Sequence, residues 1–270
     1  MRLASRYAGT HALVTGGSGG IGLALARRLV DLGAGVTLVA RSAEGLARAE
    51  DELRRVRSGA EVRTISLDVS DEEVVADVFP RELGGRPVDL LVNCAGVSSV
   101  ATFLEAEPAG LRDEMDVNYF GAVWVTRAIV PGMLDRGRGH VLNVGSTASL
   151  IGIWGYSAYT PPKFALYGLS EVLRAELRPR GVGVSIVLPT STRTPMLDRE
   201  LAEAPPETRR ILLSTRVLEP DRVAEAALRG AARGRFEIVP GPDVRLSIWA
   251  YRTFPRVGRA LLDREARRAR

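Results

Sequence analysis

Tyr159 and Lys163 stand four residues apart in the run Tyr159-Thr-Pro-Pro-Lys163. On one helix, residues at this spacing project from the same face. A phenol has a pKa of about 10 and exchanges its proton poorly at neutral pH. A neighbouring ammonium favours the phenolate and lowers that value. Such a pair can act as general acid for a ketone being reduced, or as base for the reverse reaction. Lys163 is also the sole lysine among 37 basic residues. A chain that uses arginine wherever a plain positive charge serves keeps a lysine where a compact ammonium is needed. Ser146 lies 13 residues before Tyr159, just after the apolar run Val141–Val144. A hydroxyl at the end of a strand can hydrogen-bond a substrate carbonyl and stabilise charge developing on its oxygen. By position alone, Thr147 and Ser149 are its rivals.

A second constellation lies near the N-terminus, in Thr15-Gly-Gly-Ser-Gly-Gly-Ile-Gly22. Gly16, Gly20 and Gly22 allow a tight turn and a close approach of backbone to a pyrophosphate. Ser18 and Ile21 lie in the same turn. The helix that follows supplies free N–H groups and the positive end of its dipole. The second strand ends in Ala40-Arg41-Ser42, where NAD enzymes usually place an acid for the ribose hydroxyls. Arg41 and Ser42 suit a 2′-phosphate instead, through charge-assisted bonds, so NADP(H) is the expected cofactor.

The elements that must hold these residues are legible as an alternation. Nearly continuous apolar runs at 12–15, 36–40, 62–67, 90–93, 141–144, 184–188 and 236–239 read as buried parallel strands. Helical patterns occupy 21–32, 44–57, 71–83, 109–136, 161–180 and 221–230, several stopped by glycines such as Gly33, Gly84 and Gly181. The expectation is an α/β, Rossmann-type doubly wound parallel sheet of about seven strands, with helices on both faces. Residues 1–244 form one catalytic domain. Within it, 195–218, punctuated by Pro195, Pro205 and Pro206, reads as a mobile loop-helix over the site.

Composition narrows the function classes. Hydrophobic residues make up 46% and charged residues 26%, which is globular and argues against wholesale disorder. One cysteine, Cys94, excludes a disulfide framework, and two histidines leave little for a metal site. No apolar run approaches the roughly 18 residues of a membrane span, and no secretory h-region follows Met1, so a cytoplasmic protein is expected. The net charge is +5 overall and +6 over residues 245–270, hence −1 for the rest. A nearly neutral body with a basic tail does not fit a nucleic-acid footprint spread over the domain. In that tail Leu246, Trp249, Ala250, Phe254, Val257 and Leu261 fall on helical spacing among arginines. The pattern suits peripheral contact with an anionic membrane, or packing on the body or a partner subunit.

The glycine spacing, Gly-x-x-x-Gly-x-Gly after Thr15, resembles that of the short-chain dehydrogenase/reductase family, and the resemblance extends over roughly residues 8–240. It implies a hydride transfer between a nicotinamide and a carbonyl. It selects Ser146 over its rivals, and with Tyr159 and Lys163 it adds Asn118, in Met115-Asp-Val-Asn118, whose backbone carbonyl holds a water beside the lysine. It implies adenine contacts from Asp68 and Val69 and a cofactor-facing turn at Asn93, Ala95 and Gly96, in which Cys94 replaces a second asparagine. It places Pro189 and Thr194 near the nicotinamide, with Thr190 where the family has glycine. Tyr159 and Lys163 also touch the cofactor. Two consecutive prolines between Tyr159 and Lys163 require the helix to begin near Thr160. Within the family, the segment 155–179 and the run Pro189–Pro195 resemble 3-ketodihydrosphingosine reductases. That implies a hydrophobic, long-chain 3-keto substrate. Arg193 stands where that branch carries an acid and could change the head group accepted. Alternatives are a 3-oxoacyl, secondary-metabolite or hydroxysteroid-type oxidoreductase, an NADP-binding sensor, or a membrane-peripheral scaffold. By analogy with the family, a homodimer or homotetramer packed on 109–136 and 161–180 is expected.

Overall fold

The computed structural model describes residues 3–213 and 216–268, apart from the side chains of 265–268. Part of the basic tail, including Arg270, therefore lies outside the described residues. A short helix α1 (Ala4–Tyr7) precedes β1 (His11–Thr15), α2 (Gly20–Asp31), β2 (Gly35–Ala40) and α3 (Ala43–Val56). Then come β3 (Val62–Ser66), α4 (Glu72–Leu83) and β4 (Leu90–Asn93). α5 (Pro108–Met115) and α6 (Gly121–Asp135) are joined by a π turn (Asp116–Phe120). β5 (Gly139–Val144), α7 (Thr160–Leu177) and β6 (Val182–Val187) follow. The chain ends in α8 (Pro195–Glu203), α9 (Pro206–Leu213), α10 (Pro220–Ala232), β7 (Glu237–Ile238), α11 (Pro242–Thr253) and α12 (Pro255–Arg268).

The seven strands form one parallel sheet in the order β3-β2-β1-β4-β5-β6-β7. Each face of the sheet is covered. Ala12 and Val14 of β1 point into a core with Leu25 and Leu29 of α2 and Val223 and Leu228 of α10. Leu13, between them, joins Phe79 of α4, Ile129 of α6 and Leu177 of α7 on the other face. Burial on both sides explains why the inner strands read as continuous apolar runs. The strand order reverses between β1 and β4, which opens a crevice at their C-terminal ends. Thr15, Asn93 and Val144, the last residues of β1, β4 and β5, meet at that edge.

One expectation changes. The helix expected over 109–136 is interrupted by the π turn around Asn118. The extra residue in a π turn costs helical hydrogen bonding and is characteristically found at functional sites. Here the cost is offset by the Asn118 side chain. Its Nδ2 donates to the Val97 carbonyl at 2.8 Å and its Oδ1 accepts from the Val97 N–H at 3.0 Å. The tail is two helices, broken at Phe254 as expected from Pro255, which cannot continue α11. The start of α11 belongs to the body: Val244 and Ile248 pack on Ile186, Leu188 and Val239. Leu246, Trp249, Phe254, Val257 and Leu261 remain exposed. No helix among the described residues is long and apolar enough to cross a membrane.

Candidate active site

The turn between β1 and α2 is built on absent side chains. Gly16 has φ +65°, and a Cβ there would sit 2.8 Å from the Cys94 carbonyl oxygen. A Cβ on Gly22 would sit 2.3 Å from the Gly16 carbonyl oxygen, so only glycine lets α2 begin that close to the turn. The N-terminus of α2 has no side-chain cap. Its first N–H groups are thus open to an anion, which fits a pyrophosphate. Thr15 locks the neighbouring strand end. Its Oγ1 accepts from the N–H groups of Cys94 and Ala95, both at 3.0 Å, and donates to the Val92 carbonyl at 3.4 Å. The sequence shows Thr15 as part of the turn, but its role in holding the exit of β4 needs the pairing of β1 with β4.

Across the crevice, α7 starts at Thr160 with Tyr159 as its first flanking residue. Pro161 and Pro162 thus fall in the first turn, where no N–H partner is needed. Lys163 is buried, lies with Nζ 5.4 Å from the centre of the Tyr159 ring, and donates to the Val144 carbonyl at 3.2 Å. The Ser146 hydroxyl is hydrogen-bonded to the Tyr159 phenol. Ser146 also accepts from the Ala148 N–H at 3.1 Å. Its rival Ser149 is fully buried and accepts the Ser146 N–H at 3.2 Å, so it supports the turn instead of facing the crevice. Asn118 sits behind the lysine: a Cβ on Gly96 would lie 2.8 Å from Asn118 Oδ1 and 3.7 Å from Lys163 Nζ.

Burial pushes the Tyr159 phenol above its ordinary value, the Glu200 and Glu114 charges add to this, and the Ser146 bond opposes it. The sequence leads to the opposite expectation, a phenol lowered by its lysine. Burial also brings Lys163 down to about 8, against the pull of Cys94 and Glu114. A protonated phenol beside a marginal ammonium is arranged to give a proton. Burial pushes the Cys94 thiol up to about 12, which leaves it unreactive.

Ser146, Tyr159 and Lys163 open into a cavity of about 780 Å³, together with Gly16, Ser18, Gly20, Ile21, Gly22, Gly96, Pro189 and Thr194. Thr194 caps α8 by accepting the Leu197 N–H at 3.3 Å. Its methyl would lie 3.2 Å from a Cβ on Gly20, so the turn and the α8–α9 cover meet there. The other expected residues lie outside the cavity wall. Arg41 and Asp68 form an exposed pair at 3.8 Å, at the ends of β2 and β3. Ser42 caps α3, accepting the Gly45 N–H at 3.0 Å. Val69 packs in the core against Gly121. The Asn93 side chain turns away from the crevice and donates to Thr126 Oγ1 at 3.0 Å and Asn143 Oδ1 at 2.8 Å, tying β4 to β5 and α6. Arg193 is paired with Glu219 at 2.9 Å on the surface and is not part of the wall, which removes it as a head-group contact. No cluster of metal-ligating side chains occurs among the described residues.

The sequence did not single out Tyr156, Glu114 or Glu200. Tyr156 and Glu200 line the cavity, and Glu114 is buried behind it, accepting the Ser99 N–H at 2.7 Å. Glu200 reads as an ordinary acid on an amphipathic helix, and only the docking of α8 over the crevice buries it.

Comparison with known proteins agrees with this fold. The model of the short chain dehydrogenase family matches residues 10–204. A 3-dehydrosphinganine reductase of Danio rerio is 39% identical over 241 residues, covering 87% of this chain and 72% of its own. A solved short chain dehydrogenase/reductase from Burkholderia phymatum in complex with NAD superposes with a TM-score of 0.81 at 28% identity, covering 93% of this chain and 96% of its own. A short-chain dehydrogenase from Sphingobium yanoikuyae in complex with NADPH gives 0.78 at 28% identity, with 92% and 94% covered. With the parallel sheet, the glycine turn and this likeness over most of its length, the chain belongs to the short-chain dehydrogenase/reductase family, oxidoreductases acting on CH–OH and C=O groups.

Proposed function

We propose that the protein uses NADPH to reduce the ketone of a long-chain 3-keto sphingoid base, such as 3-ketodihydrosphingosine, to a secondary alcohol. The observation that carries this is the single cavity in which Ser146, Tyr159 and Lys163 face the glycine turn and an apolar wall of Leu197, Ile211 and Leu212. Gly16, Ser18, Gly20, Ile21 and Gly22 would hold the pyrophosphate, and Arg41 and Ser42 the 2′-phosphate. Asp68, Val69 and the backbone of Asn93, Ala95 and Gly96 would flank the adenosine side, and Pro189 and Thr194 the nicotinamide. Bound there, the cofactor supplies the hydride. Ser146 donates a hydrogen bond to the substrate carbonyl, and Tyr159 gives its proton to the same oxygen. The Lys163 ammonium stabilises the phenolate left behind. Asn118 holds the segment around Val97 that backs the lysine.

Arg199 and Arg216 also border the cavity, which favours a second reading, a 3-oxoacyl reductase taking an anionic carrier. One assay separates the two. Loss of NADPH absorbance is followed with purified protein and 3-ketodihydrosphingosine or acetoacetyl-CoA, with NADH and Tyr159→Phe as controls. Turnover of the sphingoid ketone with NADPH, absent in the variant, is the expected result. Preference for the thioester would replace the reading.

The exposed apolar residues of α11 and α12 among arginines support peripheral contact with an anionic membrane, from which such a lipid would be drawn. The outer face of α7, with Phe164 and Val172 exposed, supports association with a second copy.

A further inference from the structure

Glu200 is a buried carboxylate, 8% exposed, in the wall of the catalytic cavity. It comes from α8, and its neighbours are hydroxyls. Ser98 Oγ donates to Oε1, and the Tyr156 phenol is hydrogen-bonded to it as well. The Tyr156 ring in turn packs at a tilt against that of Tyr159, their centres 5.3 Å apart. No ion pair to Glu200 forms among the described residues. Lys163 donates to the Val144 carbonyl instead, and Arg199, next in sequence to Glu200, is exposed. The other charged groups of the wall, Arg216 and Asp243, are exposed as well. A buried carboxylate is costly without a cation, and two hydroxyl donors fill only part of its four acceptor positions. The remaining positions are free for a donor within the cavity.

We infer that Glu200, steadied by Ser98 and Tyr156, is the group that receives a substrate ammonium placed one carbon away from the ketone. This rests on the proposed reduction of a sphingoid ketone. In a 2-amino-3-ketone the amine is on the carbon next to the carbonyl. A carbonyl oxygen held by Ser146 and Tyr159 therefore sets the ammonium beside the wall that Tyr156 and Glu200 form. The pairing selects a 2-ammonio ketone over a neutral ketone of equal chain length, because only the former brings the missing cation. Arg193, out on the surface, has no part in this choice.

The test reads selectivity, which a purely structural tether would not move. kcat/KM is measured for 3-ketodihydrosphingosine and for its desamino analogue, in wild type, Glu200→Gln and Glu200→Asp. Gln keeps the hydrogen-bond acceptor and the size of the side chain but loses the charge; Asp keeps the charge. The amino-to-desamino ratio is expected to fall about 10- to 100-fold in Glu200→Gln and to survive in part in Glu200→Asp. Equal losses on both substrates would make Glu200 only a tether for α8 and overturn the inference. Calorimetric binding of dodecylammonium against dodecanol reads the same site without turnover. Preference for the ammonium in wild type and its loss in Glu200→Gln support the inference even if neither ketone is reduced, in which case the proposed reaction alone fails. No ammonium preference in wild type overturns it.

Discussion

At neutral pH the Tyr159 phenol keeps its proton, while burial brings the Lys163 ammonium down to about 8. Tyr159→Phe removes the proton donor and leaves the fold, so the rate of ketone reduction should fall roughly 100- to 10,000-fold with thermal stability nearly unchanged. Reduction should also decline as pH rises through about 8, where Lys163 loses the charge that stabilises the phenolate. The same lysine costs stability. Its folded pKa lies below the ordinary 10.5, so the cost is full below about 8 and vanishes above 10.5. Lys163→Met should therefore be inactive yet more stable than wild type by about 1–3 kcal/mol at pH 7, a gain that shrinks to nothing by pH 10.5. Denaturant melts at the two pH values check this. A Lys163→Met protein no more stable than wild type at pH 7 would mean that the ammonium is not desolvated.

Between β1 and α2 and between β4 and α5, the chain leaves the sheet in two loops that Thr15 joins. Thr15→Val keeps the shape but leaves the N–H groups of Cys94 and Ala95 without their acceptor. Unfolding should become easier by roughly 1–3 kcal/mol, with NADPH binding weakened, since the glycine turn is anchored there. Urea melts and NADPH fluorescence measure the two effects. How well the sequence foretold the elements follows from how local each one is. The inner strands are buried on both faces and read as apolar runs, the edge strands β3 and β7 carry exposed or polar residues and were marked by shorter apolar patterns, and the start of α7 followed from Pro161 and Pro162. The π turn at Asn118 was not legible, because it is stabilised by Val97, a partner 21 residues away. Tyr159 and Lys163 could be found from their spacing at the start of one helix, whereas Ser146 stood out from Thr147 and Ser149 only through the family resemblance. Glu200 could not, because its burial depends on where α8 docks, and the loop before α8 carries no pattern that sets the angle. Arg193 misled for the same reason, being paired with Glu219 instead of pointing inward.

For the molecule as a whole, net positive charge and exposed apolar side chains are concentrated on the same two helices. The body is nearly neutral, and arginines and exposed apolar side chains gather on α11 and α12. Sedimentation with phosphatidylglycerol vesicles should be seen at low salt, weaken as salt is raised, and fall several-fold in Trp249→Glu, whose exposed ring contributes no core contact. Removing residues 245–270 outright would be a poorer test, because Ile248 seals part of the core. On the proposed use of NADPH, Arg41→Glu should shift preference from NADPH toward NADH by about tenfold or more, read as the ratio of the two kcat/KM values. Last, a chain with one lysine has one ε-amine, and here it lies inside the catalytic cavity. Reductive methylation with ¹³C-formaldehyde would thus place a single side-chain label at the centre of the reaction. Its NMR shift against pH would titrate Lys163 directly, and its movement on adding cofactor or lipid would report each binding event without any other lysine signal to assign.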